Sequence, residues 1–187
     1  MKSPAHTRRI GMINRMSGLA PRLNACALAL ASIFAGAAHA LPIGANVVNG
    51  QASVAQQGGV VTVTNSNGAI INWQGFSIGA GETTRFIQPS SASRVLNRVV
   101  GNDPSSLLGN LQSNGSVFLI NPAGIMVGAG ARINVASFVA STLNLRNEDF
   151  LANRLSFQAT PGAGMLRNEG AITTPQGGQV YLIAPRV

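Results

Sequence analysis

An all-β solenoid, in which short parallel strands stack coil upon coil, is the fold class that this 187-residue sequence predicts. Three observations carry the prediction. Short β-branched and apolar runs alternate with Asn/Gly turns from residue 41 onward, where 19 Gly and 15 Asn fall. A long block recurs: Asn67-Gly68-Ala69-Ile70 through Gly79-Ala80-Gly81 aligns with Asn114-Gly115-Ser116-Val117 through Gly128-Ala129-Gly130, the Asn-Gly signals lying 47 residues apart. Long helices, which a doubly wound sheet needs between its strands, are missing from the pattern. A 47-residue period corresponds to two coils of about 23 residues, with three short strands in each. An antiparallel sandwich also favours short strands and Asn-Gly hairpins and is the alternative.

The chain begins with an expected address label. Five basic residues (Lys2, Arg8, Arg9, Arg15, Arg22) and no acid lie in the first 40 positions. Ala25–Ala38 follows as 14 apolar residues, short of the about 20 that span a bilayer. With Ala38-His39-Ala40 as an A-x-A pattern, residues 1–40 read as a signal peptide cleaved between Ala40 and Leu41. A lipid-acceptor role for Cys26 is disfavoured because it precedes the apolar run instead of following it.

Removing that leader changes the chemistry. Residues 41–187 hold 8 Arg against 5 acids and no Lys, His or Cys. So small a basic excess does not point to nucleic acid. Imidazole or amine acid–base work, thiol nucleophiles and zinc sites built on nitrogen or sulfur are excluded, so neither a metal nor a cofactor is expected.

The elements follow in order. Gly59–Thr64 is a β-branched strand between turn signals, and Ala69–Ile78 continues as strand. Val117–Ile120 is apolar on both faces, as suits a buried parallel sheet. Arg132–Val139, Arg154–Ala159 and Gln179–Ala184 are further strands. Asp103–Leu108, with an Asp cap and Pro at the first helical position, predicts a helical turn, as does Asn147–Ala152. Trp73 and Phe76 are read as core more than as a partner-binding pair. Arg94 and Arg98 are read as a solvated face more than as a contact to an acidic receptor. Glu148-Asp149, the only adjacent carboxylates, suit a helix first turn more than catalysis.

Ala69–Pro89, Val95–Gly101, Asn114–Ile125 and Val139–Thr142 together resemble the N-terminal secretion (TPS) domain of filamentous-haemagglutinin-type exoproteins of two-partner secretion, nearest the high-molecular-weight adhesin branch. The resemblance covers residues 41–187. It implies a right-handed parallel β-helix, export across the inner membrane as an unfolded chain, and recognition by the periplasmic POTRA domains of an outer-membrane β-barrel transporter. The family's Asn-Pro-Asn-Gly-Ile box falls on Asn121, Pro122, Ala123, Gly124 and Ile125, with Ala123 replacing the second Asn. That box is the candidate recognition or turn motif. Pro122 fixes φ and Gly124 permits positive φ, so the turn should survive the change.

The expected function is therefore a secretion-targeting and fold-nucleating domain of a secreted or surface-held protein, monomeric and not an enzyme. Direct binding of host-surface carbohydrate is the alternative, with adhesion more often expected in downstream passenger. A β-helix lyase or glycosidase is disfavoured, since five scattered acids offer no paired carboxylates across a groove. Because the sequence stops within strand-like Leu182–Val187, a longer passenger is expected.

Overall fold

The protein is described from a computed structural model covering residues 40–159 and 161–187, so the predicted leader lies outside the described residues apart from Ala40. Two strands open the described chain, β1 (Asn46–Asn49) and β2 (Ala52–Gln57). The winding begins with β3 (Val60–Asn65) and β4 (Ala69–Trp73). The next coil holds β5 (Thr83–Ile87), β6 (Arg94–Val99) and β7 (Ser105–Leu107), and the one after it β8 (Asn110–Ser113), β9 (Ser116–Ile120) and β10 (Ile125–Val127). Then come β11 (Arg132–Asn134) and β12 (Ser137–Ser141). An excursion follows, formed by β13 (Asn144–Leu145), α1 (Asn147–Leu151) and β14 (Phe157–Gln158). The winding resumes with β15 (Leu166–Asn168), β16 (Ala171–Thr173) and β17 (Val180–Ile183).

This is a parallel β-helix of about four turns with three faces. One face stacks β4, β6, β9, β12 and β17 in parallel, a second β3, β5, β8, β11 and β16, and the third β7, β10 and β15. The repeat seen in the sequence is two coils, since Ala69 pairs with Val95 and Val95 with Val117. The antiparallel pairs β1·β4 and β2·β3 close the first coil, satisfying strand edges that would otherwise template aggregation.

Alternation along each strand decides what is inside. Ala69, Val95, Val117 and Phe138 lie in register and face the interior, as do Val61, Thr84, Leu111 and Ile133 on the second face. Each large side chain buried this way contributes roughly 1.5–3 kcal/mol. Trp73 and Phe76 are core residues, as expected, with ring centroids 5.6 Å apart in an edge-to-face pair; Phe76 stacks in turn on Phe86.

Four local expectations are corrected. Asp103–Leu108 forms no helix: residues 105–107 are strand β7, with Ser105 N–H bonded to Gly124 O at 2.9 Å and Leu108 N–H to Ile78 O at 2.7 Å. Neighbouring coils above and below satisfy these groups, which overrides a local capping signal. The strand predicted over Ala69–Ile78 ends at Trp73, where the chain bends as Gln74 N–H bonds to Ile43 O. Arg132–Val139 is two strands around a corner at Val135-Ala136. Of Arg154–Ala159 only β14 is strand, antiparallel to β13. Asn147–Leu151 is helical as expected, the one helix among the described residues.

Candidate functional site

The Asn-Pro box is the corner between β9 and β10. Ile120 ends one face and Ile125 starts the next, so the chain must turn within four residues. Pro122 supplies a fixed φ, and Gly124 sits at φ 131°, where a side chain is strained. Asn121 is fully buried. Its Nδ2 donates to Asp103 O at 3.0 Å and to Ser105 Oγ at 2.9 Å, in the preceding coil. Its Oδ1 accepts the Ala123 N–H at 2.9 Å, and its own backbone N–H reaches Ser141 O at 2.9 Å in the following coil. One residue thus ties three coils together at a corner, its side chain joining two of them and its backbone N–H the third.

The following coil presses on the box from the other side. Gly164 N–H donates to Pro122 O at 2.8 Å and Ile125 N–H to Met165 O at 3.1 Å. A Cβ on Gly164 would lie 2.4 Å from Ala123 O, so only glycine fits there. Of the five box residues, Asn121, Gly124 and Ile125 are buried, Pro122 is half-buried and Ala123 is exposed. The Asn that the resemblance leads one to expect at position 123 would therefore point outward, away from the bonds that hold the corner.

The excursion forms a second constellation, on the outer surface of the first face. Ile70, Leu96, Phe118 and Val139 lie in register there and point away from the interior. With Ile120 they are covered by Leu145, Phe150 and Phe157 of the excursion, and Phe118 meets Phe150 edge-to-face at 5.2 Å. Arg94 and Arg98 hold the cover down, a role that sequence reasoning missed. Arg98 donates from Nη1 to Asn147 Oδ1 at 2.9 Å and from Nη2 to Leu145 O. Arg94 bonds to Asn153 Oδ1 and to Leu151 O, and its guanidinium lies 5.3 Å from the centre of the Phe150 ring. Burial pushes the Arg98 guanidinium below its usual pKa, with Glu148 acting against the shift.

Glu148 and Asp149 occupy the first turn of α1, as expected. Asp149 is buried and accepts Arg146 Nε at 2.9 Å and Arg154 Nε at 3.0 Å. Those two hydrogen bonds hold its carboxyl below the ordinary carboxylate range. Its charge is consumed in fastening the helix to its own flanks. No cluster of three metal-ligating side chains exists among the described residues, and no described helix is long and apolar enough to cross a membrane.

The family model of the TPS secretion domain matches residues 38–187, and the chain belongs to that family. The crystal structure of the HMW1 secretion domain from Haemophilus influenzae superposes with a TM-score of 0.73 at 39% identity, covering 78% of this chain and 41% of that one. A heme/hemopexin-binding protein of Haemophilus influenzae (strain ATCC 51907 / DSM 11121 / KW20 / Rd) is 34% identical over 158 residues, 81% of this chain and 18% of the relative. A second Haemophilus influenzae heme/hemopexin-binding protein is 40% identical over 95 residues, 51% of this chain and 10% of the relative. The chain thus spans less than a fifth of the curated relatives that it matches. TPS domains belong to secreted exoproteins and work with a transporter partner.

Proposed function

We propose that residues 41–187 target this protein for export and then nucleate its folding. A signal peptide over residues 1–40 takes the chain across the inner membrane, and cleavage after Ala40 releases it. The POTRA domains of an outer-membrane β-barrel then bind it, with the Asn121–Ile125 box as part of what they read. The domain does no catalysis and has no metal or cofactor; it acts as a monomer.

One observation carries the reading of the box. In the folded coil every polar group of the Asn121 side chain is bonded internally, and the residue is fully buried. A partner that reads Asn121 therefore meets it before the corner closes, in the unfolded or partly wound chain. Folding afterwards withdraws that handle, and because each coil contacts only its neighbours, winding can proceed from one end as the chain emerges. The test is expression with and without the cognate barrel, assayed in the culture medium. Release that needs the barrel supports the reading, and equal release without it overturns it.

Direct adhesion is the second reading. It is favoured by a shallow open groove on the outside of the second face, where Arg85, Gln112, Asn114 and Asn134 present polar groups. Glycan-array binding by the exported protein, lost in Arg85→Ala, would support it.

A further inference from the structure

We infer that the new amino terminus made by leader cleavage docks on the buried carboxylate of Glu82, so that processing itself completes the first coil. The inference rests on the cleavage reading given above and deepens it.

Glu82 follows the Gly79-Ala80-Gly81 turn and is only 6% exposed. Its Oε2 accepts the Gly79 N–H at 2.8 Å and the Ala40 N–H at 3.1 Å. Space for that carboxylate is built in. A Cβ on Gly79 would lie 2.7 Å from Oε2. On the other side of the cleavage bond, Leu41 is 6% exposed and belongs to the interior cluster, so its position is fixed by packing.

Hydrolysis of the Ala40–Leu41 amide consumes one water. It leaves an α-carboxylate on Ala40, which departs with the leader, and an α-ammonium on Leu41. The lost Ala40 N–H was a neutral donor to Glu82. The ammonium that replaces it starts one residue further along, about 3.8 Å of chain, and carries a full positive charge toward a carboxylate screened from water. Charge-assisted bonds of this kind are stronger than neutral ones. Burial of Leu41 also places the bond against the folded coil, so cleavage comes before the first coil closes. In the processed chain this charge pair joins the first residue to the turn that opens the next coil.

The sequence supplies a clean probe. Residues 41–187 contain no lysine, so in the processed protein the Leu41 α-amino group is the sole primary amine. The exported protein is purified and its N-terminus determined by mass spectrometry. It is then labelled with an amine-reactive succinimidyl ester at neutral pH, natively and in urea, alongside Glu82→Gln. An ammonium held by a carboxylate is not nucleophilic, and a pKa raised by one unit lowers the free amine roughly tenfold. The expected result is native labelling at least about tenfold slower than in urea, with Glu82→Gln labelled at close to the unfolded rate while its circular dichroism is unchanged. A protein that starts at Leu41 yet labels equally fast native and in urea overturns the inference and leaves the cleavage reading intact. So does a folded Glu82→Gln that labels as slowly as the wild type. If Glu82→Gln does not fold, the native-against-urea comparison of the wild type decides alone. A mature N-terminus elsewhere overturns the cleavage reading, and the inference with it.

Discussion

The indole Nε1 of Trp73 donates to Oδ1 of Asn97, one coil further on, at 3.0 Å, and both residues are fully buried. Asn97 sits in register between Ile71 and Leu119 in an otherwise apolar interior column, and its Nδ2 donates to Phe118 O at 3.2 Å. A polar residue at that place is explained by its partners. It lets a tryptophan lie in the core without an orphaned N–H, and it links three successive coils.

Asn97→Leu should therefore destabilise the domain by about 1–3 kcal/mol, because the indole N–H is left buried and unpaired. Adding Trp73→Phe to that variant should cost less than Trp73→Phe costs alone, since there is then no N–H to strand. Urea denaturation of the four proteins in the cycle measures the coupling.

The excursion should come loose before the helix does. Arg98→Ala removes the bonds to Asn147 and Leu145 O, charge-assisted interactions worth roughly 1.5–3 kcal/mol. Protease cleavage within residues 143–158 should accelerate, and amide exchange should rise there but not in β6 or β9. Binding of a hydrophobic dye should increase as Phe118 and Val139 are uncovered.

Acid should act on the same segment through Asp149. Its folded pKa lies below the unfolded value of about 3.9. The stabilisation is thus fully present above about pH 5 and fades as pH falls through the depressed folded value. Proteolysis of the excursion should rise on acidification in the wild type. In Asp149→Asn it should already be fast at neutral pH and change little with acid.

Two box variants separate structure from recognition. Asn121→Ala strands the Ala123 N–H and the partners in the preceding coil, and should cost about 1–3 kcal/mol. Ala123→Asn lies on an exposed position and should change stability by no more than about 0.5 kcal/mol. If the barrel reads the box, Ala123→Asn should alter export into the medium while leaving the urea midpoint alone.

Coil stacking sets a severe limit at Gly109. A Cβ there would lie 2.3 Å from Gly79 O, a backbone atom that cannot swing aside. Gly109→Ala should cost about 3 kcal/mol or more. Gly81→Ala, at φ 80° with open space around it, should cost only about 1–2 kcal/mol. Thermal unfolding of the two variants checks the contrast.

The winding itself was legible because a stacked fold repeats its demands. The Asn-Gly and Gly-Ala-Gly signals at 67–81 return at 114–130 for the same corners. The core role of Trp73 and Phe76 was legible from strand context. Asp103–Leu108 was misread because its cap and proline are local signals, whereas its hydrogen bonds go to Ile78 and Gly124, 25 and 16 residues from its ends. Arg94 and Arg98 were misread for a related reason: their partners at 145–153 lie some 50 residues on, and nothing in the spacing links them. The buried carboxylate of Glu82 left no local trace beyond Gly79, which makes room for it.

Ser141 pairs with Ile120, and Ile125 with Leu166, yet the chain needs five residues from Ile120 to Ile125 and 25 from Ser141 to Leu166. Twenty surplus residues leave and rejoin without shifting a single rung. The bend after Ser141 is accordingly a splice point: loops of other lengths and chemistries can be exchanged there, provided that they bring their own lid for Phe118 and its neighbours.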